Sequence, residues 1–359
     1  MRIAQLAPLW ETVPPKTYGG TELVVQILCE EMVKKGHEVT LFATADSATS
    51  ADLVPVIDAP MRELNIKNPI YHELQAIAEV MKRSKDFDII HNHLGLLFLP
   101  FAELLDIPVV TTLHGAFLPS MKEDKDLCLK YKTHPFISIS DSQRAGFPNI
   151  NYVSTVYNGI HTERFDFNDK PNTENPYLCF LGRLSPEKGA HHAIRLAKET
   201  GHRLIMAGKI DGADVDYYEN EIKHLIDGKQ IIYIGEVAHK AKNELLREAK
   251  AVIHPVTWPE PFGLVMAESM ACGTPVLALS QGSIPEVIKD GKTGFVENNI
   301  EDLIKRVKDI PTIDRRACRQ HVERNFSAER MSDGYLDTYK KLIQNKFFNV
   351  DKLLESSMK

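Results

Sequence analysis

The alternation of short apolar runs with amphipathic segments constrains the fold of this chain more than any other feature of its sequence. Residues 3–7 read as a strand, a loop follows, and an apolar face with helical spacing begins at Thr21 and stops at Gly36. Further strands are predicted at 39–43, 88–91, 109–114, 136–140 and 153–157, and helices at 71–82 and 96–105. Such alternation predicts a parallel sheet covered by helices on both faces, with ligands at the carboxyl ends of its strands.

A second alternating series follows a polar stretch at 161–176 that has no apolar periodicity. Its predicted strands are 177–181, 203–207, 231–234, 251–254 and 275–279, and its predicted helices are 186–200, 216–227, 240–250, 263–272, 299–309 and 312–325, with a short helix and turn at 284–295. A length of 359 residues leaves room for two sizeable cores. We therefore predict an α/β protein with two Rossmann-like domains: residues 1–160, then residues 161–334 including the linker, followed by a helix and tail at 335–359.

The stretch from His254 to Glu268, HPVTWPEPFGLVMAE, carries two carboxylates eight positions apart. Its three prolines exclude helix before Gly263, so a buried strand ends in a stiff loop that delivers the N-terminus of a helix. Backbone amides and the helix dipole make such a terminus attractive to phosphate. The amides concerned belong to Phe262, Gly263 and Leu264.

Two carboxylates beside a phosphate site suit a nucleotide sugar. Glu260 and Glu268 could accept hydrogen bonds, one from the hydroxyls of the sugar and the other from those of the ribose. The alternative is a proline-rich turn that caps an ordinary helix whose glutamates are only solvated.

Two cations open the second domain in the sequence LGRLSPEKG. Arg183 ends a predicted strand, and Lys188 lies five positions later, where Pro186 begins a helix. Scattered charges of this kind are usually a solvated face. At the carboxyl end of a strand, however, fixed cations and a helix N-terminus could stabilise a departing diphosphate without Mg²⁺.

A double glycine, Gly19 and Gly20, stands between the first strand and the first helix. A strand, a glycine loop and a helix in this order allow the backbone to approach a phosphate closely. The sequence is not the GxGxxG fingerprint, and a tight turn without a ligand is the simpler interpretation.

Three histidines lie at the ends of predicted strands in the first domain. His114 ends a strand in TTLHG, where a surface histidine at a turn is the alternative to a functional one. His91 and His93, in IIHNHLG, point to one face of a strand and superficially look like a metal pair. No third ligand is placed beside them by spacing, so a structural or acceptor-side role is favoured over metal binding.

Taken together and in this order, these motifs resemble those of the retaining glycosyltransferases of family 4 along nearly the whole chain. EPFGLVMAE resembles the E-x7-E signature of that family. The resemblance implies the GT-B fold, in which two Rossmann-like domains have parallel sheets that face a central cleft and the final helix crosses back to the N-terminal domain. It also implies a metal-independent hexosyltransferase that takes a hexosyl group from a nucleoside diphosphate sugar, with UDP-glucose favoured. That sugar nucleotide is a co-substrate, and no cofactor or metal is expected.

The resemblance assigns a role to each candidate residue. Gly19 and Gly20 would cover the donor phosphates, and His114 would contact the donor sugar near its 6-hydroxyl. The roles in the second domain are a diphosphate clamp for Arg183 and Lys188, base contact near Val237, sugar 3- and 4-hydroxyls for Glu260, ribose hydroxyls for Glu268, and phosphate contact by the amides of Phe262, Gly263 and Leu264. His114, Arg183, Lys188 and Glu260 form the implied catalytic set.

Composition limits the partners and the compartment. A net charge of -6 argues against a nucleic-acid partner. Five cysteines without C-x-x-C spacing, together with the lack of a signal peptide or a bilayer-length apolar run, predict a cytoplasmic protein. The tail at 345–359 contains Phe347, Phe348, Leu353 and Leu354, which predict packing or, alternatively, weak peripheral membrane contact.

The sequence leaves the acceptor open. Residues 44–60, 94–100 and 115–133 are the expected acceptor loops and carry no decisive motif, so sugars, lipid-linked glycans and small molecules all remain candidates. Two further functions also remain open. One is a nucleotide-sugar 2-epimerase with the same fold, and the other is a catalytically silent nucleotide-sugar binding protein.

Overall fold

Chain contacts divide the protein into two units. The structure is a computed structural model that describes residues 1–17, 19–118 and 120–357, with only the helical backbone described for 346–357. Unit 1 comprises Met1–Asn158 and the chain from Ala328 onward, and unit 2 comprises Gly159–Ser327. The sequence had placed these boundaries after residues 160 and 334. The side chains of the tail, for which packing or membrane contact was predicted, lie outside the described residues.

Seven parallel strands form the sheet of unit 1 within the described residues. In chain order, the elements are β1 (Arg2–Leu6), α1 (Gly20–Lys34), β2 (Glu38–Thr44), β3 (Asp52–Ile57), α2 (Ile70–Lys82), β4 (Ile89–Asn92), α3 (Leu99–Ala102), β5 (Val109–Thr112), α4 (Lys122–Lys130), β6 (Phe136–Ser138), α5 (Asp141–Gly146) and β7 (Tyr152–Thr155). The sheet order is β3-β2-β1-β4-β5-β6-β7, so the winding direction reverses between β1 and β4. Loops that follow strands at such a reversal diverge and leave a crevice at the carboxyl ends of the strands.

Unit 2 repeats this architecture with six parallel strands among its described residues. Its elements are β8 (Tyr177–Leu181), α6 (Ala190–Thr200), β9 (Arg203–Ala207), α7 (Val215–Tyr217), β10 (Ile231–Tyr233), α8 (His239–Glu248), β11 (Ala251–His254), α9 (Leu264–Ala271), β12 (Val276–Leu279), α10 (Ile284–Val287), β13 (Gly294–Glu297), α11 (Ile300–Arg306) and α12 (Arg315–Asn325). The order β10-β9-β8-β11-β12-β13 places the reversal between β8 and β11. The predicted α/β class with two Rossmann-like domains is therefore confirmed.

Central strands in both sheets are buried on both faces. In β11 and β12 every residue is buried, and so is every residue of β4 and β5. Because helices cover both faces of a parallel sheet, its central strands consist mainly of apolar residues. The short apolar runs in the sequence therefore marked the central strands correctly.

The sequence missed the edge strand β3. Its sequence DLVPVI contains Pro55, which argues against a strand because proline cannot donate a ladder hydrogen bond. β3 lies at the edge of the sheet and pairs only with β2, so the missing amide of Pro55 need not face a partner. Helices α4 and α5 and strand β13 were also not predicted, and the helix predicted at 216–227 is instead a succession of short α, π and 3-10 turns.

The last helix, α13 (Ala328–Ser357), packs on unit 1 against α1. Tyr335 and Tyr339 on this helix are completely buried. A Cβ at Gly334 would lie 3.0 Å from Cγ1 of Val156, so glycine permits a close approach of α13 to the chain after β7. In the part of the chain that the structure describes, no helix is both long and apolar enough to cross a membrane.

Candidate functional site

The reversal point of unit 2 gathers residues from two loops that are far apart in sequence. β8 and β11 are hydrogen-bonded neighbours, with Leu178 opposite Ala251. Arg183 and Lys188 follow β8, and the loop at 255–263 follows β11. The predicted cations and the predicted carboxylate loop therefore leave the same edge of the sheet side by side.

Lys188 and Glu260 form a direct ion pair at this edge. Nζ of Lys188 donates to Oε2 of Glu260 at 2.5 Å, and Nε1 of Trp258 donates to the same oxygen at 2.9 Å. The ammonium also lies 4.9 Å from the centroid of the Trp258 ring, within cation–π distance. Burial acts to raise the pKa of Glu260, but the charges of Lys188 and His254 and the hydrogen bonds from Lys188 and Trp258 together outweigh it, so the pKa is lowered and the carboxylate stays ionised.

Glycines hold the backbone around Glu260. Gly282 has φ +57, and a Cβ there would lie 2.3 Å from the carbonyl oxygen of Glu260. The amide of Ser283 donates to that oxygen at 2.8 Å. Gly263 has φ +76, which places the chain in the left-handed region immediately before α9 begins at Leu264. The carboxylate loop is therefore set by backbone contacts as well as by its prolines.

Glu268 lies in α9 and is 4% exposed. Its carboxylate bonds with the ammonium of Lys242, which comes from α8. Lys242 was not predicted as a site residue, because nothing in the sequence around it indicates that its side chain faces Glu268. The predicted ribose-binding carboxylate thus has a cationic neighbour of its own.

Arg183 is also held by acids. Its guanidinium pairs with Glu187, and its Nε lies 3.3 Å from Oδ2 of Asp214. The pKa of Asp214 is raised because burial outweighs the attraction of Arg183. Both predicted phosphate-binding cations therefore have carboxylate partners, which fix their positions and which an anionic ligand would replace or share.

The remaining donor-side candidates contribute mainly backbone. Phe262 is 2% exposed, and its ring packs edge-on against Phe326. The first two amides of α9, those of Leu264 and Val265, have no hydrogen-bond partner within the helix, whereas the amide of Met266 donates to the carbonyl of Gly263 at 3.0 Å. Val237 lies half-buried in the loop between β10 and α8.

In unit 1 the glycine loop follows β1, at the reversal point of that sheet. Gly19 has φ +150, and a Cβ there would lie 2.7 Å from Cβ of Pro15. Gly20 is the first residue of α1. The predicted strand, glycine loop and helix are therefore present in this order, and the packing against Pro15 accounts for glycine at position 19.

His114 follows β5 and lies half-buried at a cavity of about 530 Å³ in unit 1. Its Nε2 is 2.8 Å from Nδ1 of His93. Burial lowers the pKa of His114 to about 4. The residues lining the cavity are Glu73, His93, Leu94, Gly95, Leu96, Leu97, Thr112, Leu113, His114, Gly115, Ala116, Phe117, Met121, Asp124 and Leu127.

His91 and His93 use their ring nitrogens within the protein. His91 bonds with Thr112 and Tyr339, and His93 bonds with His114 and Gln5. Three or more His, Cys, Asp or Glu side chains in an arrangement that could hold a metal ion are not found among the described residues. The histidine pair therefore belongs to a buried hydrogen-bond network.

Each unit thus holds a separate part of the predicted set. Unit 2 contains Arg183, Lys188, Val237, Glu260, Phe262, Gly263, Leu264 and Glu268, and unit 1 contains Gly19, Gly20 and His114. Trp258 stands in the carboxylate loop only two positions before Glu260, so its position in the motif was a usable signal that the sequence interpretation overlooked.

Two family models match the chain, one for each half. Residues 18–164 match the model described as Glycosyltransferase Family 4, and residues 161–324 match the model described as Glycosyl transferases group 1. An uncharacterized glycosyltransferase of Methanocaldococcus jannaschii is 27% identical over 82% of this chain and 84% of its own length. A glycogen synthase of Mycobacterium tuberculosis is 25% identical over 94% of each chain.

Solved structures show the same fold. The sucrose-phosphate synthase of Thermosynechococcus elongatus superposes with a TM-score of 0.80 at 17% identity, covering 96% of this chain and 100% of that one. HepE of Anabaena, in complex with UDP-glucose, superposes with a TM-score of 0.74 at 18% identity, covering 95% and 100%. At these identities the likeness concerns the fold alone.

Proposed function

Since the chain is a glycosyltransferase of the GT-B type, we propose that it transfers a hexosyl group from a nucleoside diphosphate sugar to an acceptor hydroxyl. UDP-glucose is the favoured donor, and the anomeric configuration is retained. The observation that carries the proposal is the buried contact of Lys188 with Glu260 beside the N-terminus of α9. A cation, a carboxylate and free helix amides in one place match the phosphates and hydroxyls of a sugar nucleotide.

Donor binding rearranges the ion pairs of unit 2. Lys188 and Arg183 turn toward the diphosphate, whose oxygens take over from Glu260 and Glu187 as their partners. Glu260, relieved of part of its pairing, accepts hydrogen bonds from the sugar hydroxyls. Glu268 does the same for the ribose, with Lys242 holding its carboxylate in place. The acids therefore keep the cations ordered until the donor arrives.

The charge that develops on the leaving diphosphate is stabilised by Arg183, Lys188 and the amides that begin α9. Such groups are fixed before the reaction and need little reorganisation when the glycosidic bond breaks. We propose that the reaction needs no metal ion. Activity should survive EDTA, and complete loss that added Mg²⁺ or Mn²⁺ restores would contradict this part of the proposal.

The acceptor binds in the cavity of unit 1. Its walls are mostly apolar, including Leu96, Leu97 and Phe117. The charged residues among its described lining are Glu73 and Asp124, both negative. An acceptor with an apolar portion and without negative charge fits this lining, because an anion would be repelled by both carboxylates.

Three assays test the function in sequence. UDP, UDP-glucose, GDP-mannose and ADP-glucose are compared by thermal shift, where a ligand at 100 times its Kd stabilises the fold by about 2.7 kcal/mol. Nucleotide release is then measured with octyl β-glucoside and with glucose 6-phosphate as acceptors, and the neutral amphiphile should be preferred. NMR of the product reports the anomeric configuration.

The assays also separate the alternatives. Conversion of the donor in the absence of an acceptor would identify a 2-epimerase. Binding without turnover of any acceptor would identify a silent nucleotide-sugar binding protein. If no nucleotide raises the melting temperature, the donor site is wrongly assigned.

A further inference from the structure

A buried chain of hydrogen bonds runs from α13 through the interior of unit 1 to His114. Nε2 of Gln5 donates to the hydroxyl of Tyr339 at 3.2 Å, and Oε1 of Gln5 is 2.9 Å from Nε2 of His93. Nδ1 of His93 is in turn 2.8 Å from Nε2 of His114. Gln5 and Tyr339 are completely buried, and His93 is 4% exposed, so protein atoms decide how these groups orient.

The contact with the thioether of Met32 favours one orientation of the Gln5 amide. Sδ of Met32 lies 3.5 Å from Nε2 of Gln5. A thioether accepts hydrogen bonds and cannot donate them, so the NH₂ group faces it and the amide oxygen faces His93. The proton shared by Gln5 and His93 therefore resides on Nε2 of His93.

The position of that proton determines the next one. Burial lowers the pKa of His93 well below its ordinary value, so the ring is neutral and carries a single N–H. With its proton on Nε2, Nδ1 of His93 can only accept, and Nε2 of His114 must donate to it. The low pKa of His114 means that its ring is neutral as well, so Nδ1 carries no proton and can accept a hydrogen bond.

A second branch of the network runs from Gln5 through Tyr339 to His91, and the same orientation of the Gln5 amide decides which of its atoms donate. Since the hydroxyl of Tyr339 accepts from Gln5, its own proton goes to Nδ1 of His91. Nε2 of His91 then donates to Oγ1 of Thr112 at 2.7 Å, and that hydroxyl donates to Tyr335 at 3.3 Å. Each donor from Gln5 as far as His114 in one branch and Thr112 in the other meets an acceptor, so one orientation of the Gln5 amide orders both branches.

We propose that Gln5 and Tyr339 are positioning residues that hold His114 in the tautomer with its proton on Nε2, so that Nδ1 accepts a hydrogen bond from a substrate hydroxyl. The inference rests on the proposed function for the identity of that substrate. This tautomer makes His114 selective for a substrate group that donates a hydrogen bond. A substrate in which fluorine or a methyl ether replaces the contacted hydroxyl would find no donor in this tautomer.

The opposite orientation of the Gln5 amide would reverse each step. The amide would then donate to Nε2 of His93, Nδ1 of His93 would donate to His114, and the proton of His114 would move to Nδ1. Among the described residues, the contacts of Gln5 with Met32 and Tyr339 hold the order as it is. Removing the hydroxyl of Tyr339 leaves the amide with the weaker thioether contact, so the reversed order becomes populated.

The tautomer of His114 is measured directly by ¹⁵N NMR of ¹⁵N-histidine-labelled protein, in which protonated and unprotonated ring nitrogens are distinguished. The signals are assigned by their loss in His114→Asn. Wild type should show the proton on Nε2, and Tyr339→Phe should show a proton on Nδ1 in part of the molecules. Gln5→Met, which removes the acceptor of His93, should give the same change.

Tyr177→Phe is the matched control, because Tyr177 is buried and its hydroxyl donates to the carbonyl of Leu245 at 2.9 Å in unit 2. It loses one buried hydrogen bond without touching the network. For transfer activity we expect about a tenfold lower kcat/KM in Tyr339→Phe, the effect of one hydrogen bond, and little change in Tyr177→Phe. The Kd for UDP should be unchanged in both variants.

A wild-type His114 with its proton on Nδ1 would overturn the inference, as would equal tautomers in wild type, Tyr339→Phe and Gln5→Met. The NMR result does not depend on turnover. A protein that transfers no sugar but shows the Nε2 tautomer contradicts the proposed function alone, and an active protein with the Nδ1 tautomer contradicts the inference alone.

Discussion

Nζ of Lys188 lies 2.5 Å from Oε2 of Glu260, although 72 positions separate the two residues in the sequence. The side chain of Glu260 is 7% exposed and that of Lys188 is 19% exposed, so the pair is largely removed from water. Removing one member of such a pair leaves an uncompensated charge in a poorly solvated place. The contact thus links the stability of unit 2 to the two residues that we assign to donor chemistry.

Stability measurements test this link through a double-mutant cycle. Lys188→Met and Glu260→Gln should each lower the free energy of unfolding by about 3 kcal/mol, because each leaves the partner unpaired. The double variant should lose clearly less than the sum of the two. Urea unfolding followed by circular dichroism gives the values. Strict additivity would mean that the pair has no energetic coupling.

The pair Lys305→Met and Asp302→Asn is the matched control for that cycle. Lys305 and Asp302 form an exposed i,i+3 ion pair on α11. No measurable coupling is expected there, because solvent screens exposed pairs.

Fluorescence of Trp258 should report donor binding. Its ring contacts the ammonium of Lys188, and its Nε1 donates to Glu260, so rearranging that pair changes the surroundings of the indole. The chain has two tryptophans, and Trp10→Phe leaves Trp258 as the reporter. Titration with UDP or UDP-glucose should give a saturable change in that variant. The same change in Trp258→Phe would show that the signal arises elsewhere.

Kinetics should separate the cations from the carboxylates. Arg183→Ala and Lys188→Ala remove charge that stabilises the leaving diphosphate, so kcat should fall by roughly 10²- to 10³-fold. Arg195→Ala is the control, since Arg195 is an exposed arginine paired with Glu199 and Glu301 on the surface of the same unit. An unchanged kcat in Arg183→Ala and Lys188→Ala would remove both residues from the chemistry.

Glu268→Ala should act mainly on donor affinity. A carboxylate that holds ribose hydroxyls in ground and transition states alike contributes about 1.5–3 kcal/mol of uniform binding, which appears in KM. Glu260→Ala should change both kcat and KM, because the sugar that it holds gains positive charge in the transition state. Thermal melts exclude misfolding. Loss of kcat in Glu268→Ala with unaltered nucleotide affinity would make Glu268 a chemical participant.

Stability should also depend on pH through Glu22, which is 5% exposed in α1. Burial raises the pKa of Glu22 from 4.5 to about 7. The native state therefore retains a proton that the unfolded chain releases, and this stabilisation is complete below pH 4.5 and is lost as pH rises through 7. The loss amounts to about 3 kcal/mol.

Glu22→Gln should accordingly unfold at a higher urea concentration than wild type at pH 8 and at a similar one at pH 4.5. An amide is neutral at both pH values and has a similar shape, so the pH-dependent contribution disappears. Glu38→Gln, an exposed exchange in β2, controls for the general effect of removing a carboxylate. A constant difference between Glu22→Gln and wild type across this range would contradict the pKa argument.

Much of the fold could be predicted from local patterns. Strands Tyr177–Leu181, Arg203–Ala207 and Ala251–His254 have the bounds that the sequence predicted, since each contains a short apolar run of the kind that central parallel strands bury. Edge strands follow no such rule. Pro55 argued against β3, and the first two residues of β13, Gly294 and Phe295, were assigned to a turn.

The candidate site was predicted as a set of positions and not as a set of contacts. The proline-rich loop before α9 and the glycine loop before α1 were recognised because proline and glycine restrict the backbone locally. The partners of the functional side chains were not. Lys242 beside Glu268, and Asp214 beside Arg183, come from segments whose sequences carry no sign of that proximity.

The sequence by itself determined the alternating elements, the loops at strand ends and the residue types available there, because each depends on neighbours within a few positions. Only the tertiary structure decided which side chains meet. The winding of the sheets, which reverses between β8 and β11 and between β1 and β4, brings Lys188 to Glu260, and the packing of α13 on unit 1 brings Tyr339 to His91. Such contacts depend on how elements far apart in the chain pack together, and no spacing within one segment specifies that.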